Sequence, residues 1–341
     1  MKISLSWSKM ESKPIVLCNI HREFITGINL YKFYDLFDLR IVPSINHWNA
    51  SEEERLKVEI LWVGLEENIN SEIIDKFPSL KVIATSTTGL THLDLPYLQK
   101  KRGEGKNLHL VSIKDEKTLL DKISSSAELA WSLMLVSLKQ IIVADRSQHF
   151  TKEFRLKYFS RQVSSLSIGI VGFGRIGRQL ARFSEAFGAM WYFYDAIPSG
   201  VKELHFKELI DLVKESDVIF MCASIRPEFK YPILDAEKIA ELKQGGIVVN
   251  VGRGSLIDEY SILESLVQKR ISGYATDVLR LEELHQECGV PLTRITHLIN
   301  QGHNLVVTPH IGGATSDALK SVNDNIMSQL IQIYREKHNE S

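Results

Sequence analysis

Three short segments in the second half of the chain end an apolar run on side chains able to do chemistry. VVNVGRG (248–254) leads to Arg253, ATDVLRLEE (275–283) carries Asp277 and Glu282, and VVTPHIGGAT (306–315) carries His310. A guanidinium is a planar two-pronged donor for an anion. An imidazole exchanges a proton near neutral pH, and a carboxylate beside it can hold its orientation. Each polar residue falls at or just past a strand end, where open α/β sheets place their ligands. Plain structural readings stand beside this one. Arg253 could cap a helix or pair with Asp258, His310 could be a loop terminus after Pro309, and Glu282 with Glu283 could be a solvated acidic pair.

A fourth segment, GIVGFGRIG (169–177), sets Gly172, Gly174 and Gly177 in the spacing GxGxxG, directly after an apolar strand and at the start of a helix. Gly172 permits the tight turn, Gly174 lets the backbone approach a diphosphate, and Gly177 lets the helix pack on its strand. The helix N-terminus adds unpaired N–H groups and a partial positive charge. The next strand, WYFYD, ends in Asp195, 18 residues beyond Gly177. An acid there accepts hydrogen bonds from the adenosine ribose hydroxyls and repels a 2′-phosphate. Ala196, Ile197 and Pro198 follow it without a basic residue. The pattern predicts NAD rather than NADP as cofactor. A structural glycine turn beside a solvated aspartate is the alternative.

The elements that must position these residues alternate as βαβ units do, which predicts parallel sheets. PIVLC (14–18), VEILWVG (58–64), LKVIATS (80–86) and LHLVS (108–112) read as strands of a first series, with helices over 70–78 and 93–103. A second series has strands over 167–174, 189–196, 216–224, 246–252, 271–279 and 304–310, and helices over 175–188, 205–216 and 258–270. Between the two, SSSAELAWSLMLVSLKQIIVADR (124–146) reads as one long apolar helix with a Ser cap and Glu128 in its first turn. A last helix is expected over 314–338.

Together these segments resemble the D-isomer-specific 2-hydroxyacid dehydrogenases, a family that includes phosphoglycerate dehydrogenases, over nearly the whole chain. The family's pattern is met here by TTGLTHLD (87–94), GFGRIG with Asp195, NVGRG (250–254), DVLRLEE (277–283) and TPHIGG (308–313). Order and spacing together are specific; no single segment is. The resemblance implies hydride transfer between NAD(H) and C2 of a D-2-hydroxy acid or 2-keto acid, with Arg253, Glu282 and His310 as the catalytic set. Arg253 would clamp the substrate carboxylate and polarise the C2 carbonyl. His310 would exchange a proton with that oxygen, and Glu282 would orient the imidazole and stabilise its charged form. The resemblance further implies that Asp277 holds the nicotinamide carboxamide. Arg175, Ile176, Val251 and Gly312 would join the glycines and Asp195 around the cofactor, and backbone N–H groups around Thr88 and Gly89 would bind the substrate carboxylate. The implied fold class is α/β with two doubly wound domains flanking a cleft. A flavodoxin-like substrate domain would span 1–123 and 312–341, and a Rossmann NAD-binding domain 124–311.

Several positions depart from that pattern. Glu283 stands where Pro is usual, and Cys222 and Ser224 replace a His-x-Pro element. Thr91 and His92 stand where Asp and Asn are common, and His92 is expected to cap the following helix rather than face substrate. Phosphoglycerate dehydrogenases tend to carry an Arg where this chain has Thr85, and no Arg or Lys occurs between Val82 and Gln99. A dianionic phosphate needs a fork donor or a strong positive field, and GLEEN (64–68) is acidic. A substrate other than 3-phosphoglycerate is therefore expected. Because the sequence ends soon after its last helix, a C-terminal regulatory domain is not expected.

Bulk properties agree with a small-molecule enzyme. The 341 residues suit two domains, and 44% hydrophobic with 24% charged residues is ordinary for a globular protein. A net charge of −1 argues against nucleic acid or a membrane surface as partner. MKISLSWSKMESK lacks the apolar core of a signal peptide, and no later run reaches membrane-spanning length. Cys18, Cys222 and Cys288 show no metal-ligand spacing, so no metal is expected, and their sparse, odd number fits a reducing cytoplasm. His297 and His303 read as surface histidines. A homodimer is implied by the resemblance. Two alternatives remain at this level: a nucleotide-sensing, corepressor-like protein on the same fold, and a formate dehydrogenase, which Glu282 disfavours.

Overall fold

The computed structural model describes residues 13–106, 108–196, 205–226, 231–282 and 289–339. Ile197, Pro198, Glu283 and Cys288 lie outside the described residues. The chain divides into two compact units, Met1–Leu120 with Ser316–Ser341, and Asp121–Thr315.

The first unit is built on a five-stranded parallel sheet of β1 (Ile15–Cys18), β2 (Asp38–Ile41), β3 (Val58–Val63), β4 (Val82–Thr85) and β5 (His109–Ser112). Their order is β2-β1-β3-β4-β5, the flavodoxin-like arrangement. Strands covered on both faces read as continuous apolar runs, and Leu17, Leu61, Trp62 and Ile83 are fully buried. The closing helix Ser316–Asn339 belongs to this unit and buries Val322, Ile326, Met327 and Leu330. Strand β2 is absent from the sequence expectation. It is an edge strand whose four residues are only half-buried, so DLRI carries no apolar run to announce it.

The second unit holds six parallel strands: β6 (Ser167–Val171), β7 (Met190–Tyr194), β8 (Val218–Met221), β9 (Gly246–Asn250), β10 (Ile271–Thr276) and β11 (Leu305–Val307). Their order is β7-β6-β8-β9-β10-β11. Chain direction across the sheet reverses between β6 and β8, the switch point at which such sheets open a crevice beyond their strand ends. Ile168, Phe220 and Val249 fill one face with the helix Ser125–Leu138, whereas Val171, Ile219 and Val248 fill the other with helices Leu209–Glu215 and Glu259–Val267. Complete burial of side chains of this size stabilises by about 1.5–3 kcal/mol each.

The helix expected over 124–146 is two helices. Ser125–Leu138 ends, Gln140 takes a left-handed conformation (φ 52°), and Ile141–Arg146 starts afresh. The apolar letters mislead because Ile141 is 51% exposed and does not extend the buried stripe. Ser124 does not cap the free backbone N–H groups; its hydroxyl donates to Glu128.

Candidate active site

The glycine turn leaves β6 and enters the helix Arg175–Ala186. Gly172 has φ +96°, and a Cβ there would strike the backbone of Ala223 beyond β8, so only glycine fits. A side chain at Gly177 would collide with the carbonyl of Gly172. Gly174 differs: no heavy atom lies within 4 Å of where its Cβ would sit, and the residue is exposed. This open cradle borders the first turn of a twelve-residue helix whose N-cap has no side-chain partner. Its first N–H groups are therefore available to an anion, as a dinucleotide's diphosphate requires.

Asp195, just past β7, accepts the N–H of Phe173 at 2.7 Å and so braces the turn with the same carboxylate expected to meet a ribose. Arg175 and Ile176 lie in the first turn of the helix; the Arg175 guanidinium donates to the carbonyl of Ile123 at 2.7 Å. Val251 follows β9 and is 8% exposed. Cys222 donates its S–H to the carbonyl of Gly172 at 3.1 Å. Burial, and then the negative charge of Asp195, push this thiol well above its ordinary range, so it is a neutral donor.

The three other chemistry-bearing turns follow adjacent strands. Arg253 follows β9, Asp277 and Glu282 follow β10, and His310 follows β11. Asn250, fully buried, braces the first turn, accepting the N–H of Gly252 at 3.1 Å and donating to the carbonyl of Arg253 at 2.9 Å. Arg253 itself is half-buried, and one guanidinium nitrogen donates to the carbonyl of Gly252. Gly254 is pressed against the backbone of Leu279 and Arg280, which joins the Arg253 turn to the Glu282 turn.

Asp277 joins the second turn to the third. Its carboxylate accepts from Thr308 Oγ1 at 2.5 Å and from the N–H groups of Ile311 and Gly312 at 2.8 Å, while its carbonyl takes the N–H of His310 at 2.9 Å. Only 2% of it is exposed, and burial raises its carboxyl above the usual aspartate range against the pull of those donors. A carboxylate offers about four acceptor positions, and the loop takes three of them. The clamp holds His310 at φ +55°, a left-handed conformation uncommon for residues with a side chain. His310 Nδ1 lies 2.8 Å from Glu282 Oε2, and Glu282 Oε1 accepts the N–H of Leu279 at 2.9 Å. Asp258 caps its own helix through Ser261.

Thr88 and Gly89 belong to the first unit, in the loop after β4. Thr87 Oγ1 donates to the carbonyl of Gly89 at 2.7 Å, and neither N–H of Thr88 or Gly89 meets an acceptor among the described residues. His92 is not the expected helix cap. Asp94 caps Leu95–Gly103, whereas the His92 ring is 3% exposed and its Nε2 lies 3.2 Å from Thr85 Oγ1. A ring that bulky is drawn inward by burial, and the short carboxylate two residues on reaches the helix N–H instead. His297 is exposed and His303 half-buried. Among the described residues no group of three metal-ligating side chains converges, and no helix is long and apolar enough to cross a membrane. Asn250, Thr308 and Gly254 escaped the sequence reading, although a polar residue ending a buried strand was the available signal for Asn250.

Comparison with known proteins concerns the family and the fold. Residues 131–312 match the model of the D-isomer specific 2-hydroxyacid dehydrogenase NAD binding domain, and residues 38–103 match that family's catalytic domain. The chain is 29% identical over 288 residues to a glyoxylate reductase of Thermococcus kodakarensis, covering 80% of this chain and 79% of the relative. It is 30% identical to a hydroxypyruvate reductase of Thermotoga maritima, covering 81% and 85%. A crystal structure of D-lactate dehydrogenase from Aquifex aeolicus, complexed with NAD and lactic acid, shares the fold at a TM-score of 0.75, with 23% identity over 96% of each chain.

Proposed function

Because this chain belongs to the D-isomer specific 2-hydroxyacid dehydrogenase family, and is an NAD-dependent oxidoreductase of 2-hydroxy and 2-keto acids, we propose that Arg253, Glu282 and His310 are its catalytic residues. The observation that carries the proposal is the linkage of their three turns through Gly254, Asp277 and the Glu282–His310 contact. NAD, when bound, supplies the hydride acceptor or donor at its nicotinamide ring. Gly172, Gly174, Gly177 and the N–H groups of Arg175 and Ile176 would hold its diphosphate, with Asp195 at the ribose. Val251, Gly312 and Asp277 would border the nicotinamide.

The guanidinium of Arg253 binds the substrate carboxylate and stabilises negative charge growing on the C2 oxygen during reduction. His310 gives that oxygen a proton from Nε2, because Nδ1 is tied to Glu282. In oxidation the same nitrogen takes the proton back. Glu282 fixes the ring and offsets its positive charge. Backbone N–H groups of Thr88 and Gly89 are donors suited to a carboxylate, as the family resemblance implies.

The substrate we favour is a small unphosphorylated 2-keto acid of the glyoxylate or hydroxypyruvate kind. Thr85 is fully buried and hydrogen-bonded to Thr87 and His92, so it offers no donor to a phosphate. The names of the relatives support the same choice. A cytoplasmic homodimer completes the reading, supported by the sparse cysteines and the family resemblance. NADH oxidation with glyoxylate, hydroxypyruvate, pyruvate and 3-phosphohydroxypyruvate tests it: turnover on the first two is expected, and preference for the phosphorylated acid would refute it.

A further inference from the structure

Glu259 is a buried carboxylate to which the chemistry above gives no part. It is 5% exposed, set among Leu263, Tyr274, Leu279, Val290 and Ile295. An ionised carboxylate in such surroundings is costly unless hydrogen bonds replace its water. Backbone supplies them: Oε1 accepts the N–H of Arg280 at 2.7 Å and Oε2 that of Val290 at 3.0 Å. These amides lie on either side of Glu282 in sequence, two residues before it and eight after. Glu259 is also the first residue of the helix Glu259–Val267, whose N-terminus favours negative charge, and that helix follows directly on the turn led by Arg253. Gly289 lets the parts meet, since a Cβ there would lie 2.8 Å from the nitrogen of Leu281 and 3.1 Å from Glu259 Oε2.

An apolar side chain could fill this space, but only a group with two acceptor oxygens holds both amides. We propose that Glu259 is a positioning residue for the reaction: it ties the segment bearing Glu282 to the helix behind Arg253, and so fixes where Glu282 meets His310. The inference rests on the catalytic reading given above.

Glu259→Gln keeps the length but offers one acceptor oxygen, so one amide is released. Hydrogen–deuterium exchange should rise in the peptides containing Arg280 and Val290, with the Kd for NADH unchanged. With glyoxylate as substrate, kcat should fall by up to ~100-fold while KM moves little, since small misplacements near reacting groups have that reach. Adding Glu259→Gln to Glu282→Gln should cost nothing further, because both act through one contact. Gly289→Ala crowds the same contact while keeping the charge, and should reproduce the kcat loss; it carries the test if Glu259→Gln does not fold. Unchanged exchange, or losses that simply multiply in the double variant, overturns the proposal. A wild-type chain inert on glyoxylate, hydroxypyruvate and pyruvate sinks the catalytic reading instead, and the exchange measurement then decides the tether by itself.

Discussion

Glu282 divides its carboxylate between two tasks: Oε2 lies 2.8 Å from Nδ1 of His310, and Oε1 holds the N–H of Leu279 in its own turn. The carboxylate is thus immobilised before it orients the imidazole. Side chains of Glu282 and His310 are 29% and 26% exposed, so solvent reaches the pair and a proton can be restored between turnovers.

Glu282→Gln keeps the shape and removes the charge that offsets a protonated imidazole. Keto-acid reduction needs the imidazole held with Nε2 free to give up its proton, so kcat should fall in the variant while the Kd for NADH stays unchanged. The loss at neutral pH should stay below the ~10²–10⁴-fold that general acid–base catalysis supplies in full. An unchanged kcat would show that Glu282 has no part in the proton transfer.

Arg253→Ala should lower kcat/KM for the keto acid by about 10²–10³-fold, or ~2.7–4 kcal/mol, the usual cost of removing one charge-assisted donor to a developing oxyanion. NADH binding, followed by fluorescence titration, should survive. Arg253→Lys should rescue little, because an ammonium cannot reproduce the fork. Full recovery by Lys would mean that charge alone matters there.

How much of this was legible in the letters depends on the range over which each feature is encoded. The glycine turn is local, its spacing set by the geometry of one strand–turn–helix unit, and it stands where the spacing put it. Arg253, Glu282 and His310 drew attention because each lies at or beyond the end of an apolar strand, and the family resemblance joined them into one proposed set. The bonds that assemble them were hidden, since Asp277 reaches Thr308, Ile311 and Gly312 more than thirty residues away. Asn250 sits inside a strand-like run and looks like a blemish until its carboxamide is seen bracing the Arg253 turn. Gln140 breaks a helix whose letters continue, because periodicity cannot distinguish a buried Ile from the half-exposed Ile141.

Far along the same sheet, Asp217 at the start of β8 accepts the N–H of Ser167 and pairs with Arg161 and Lys243, both at 2.8 Å. Burial raises its carboxyl, but the bonds from Lys243, Ser167 and Arg161 together outweigh this and hold it below the ordinary aspartate range. A folded-state pKa below the unfolded value of about 3.9 gives stability that is complete above that pH and drains as the pH falls through it. Asp217→Asn should therefore lower Tm at neutral pH, by about 2–4 °C for each kcal/mol lost. The gap to wild type should close in acid, as followed by thermal melts down a pH series. A gap that widened toward acid would reverse the sign of the argument.

The glycines offer a sharper separation of fold from cofactor binding. At Gly177 an added methyl meets the carbonyl of Gly172, backbone against which nothing can yield cheaply. Gly177→Ala should cost about 1–3 kcal/mol of stability, as overpacking does, and lose NADH affinity with it. At Gly174 an added methyl meets no atom of the chain, so Gly174→Ala should melt within a degree or two of wild type. The same methyl would occupy the space through which the backbone approaches the diphosphate, and NADH should bind much more weakly. Calorimetry for Tm and fluorescence titration for Kd separate the cases. Should Gly174→Ala bind NADH as wild type does, the open cradle at this turn would not be where the diphosphate lies, and the cofactor would have to be placed elsewhere on the sheet.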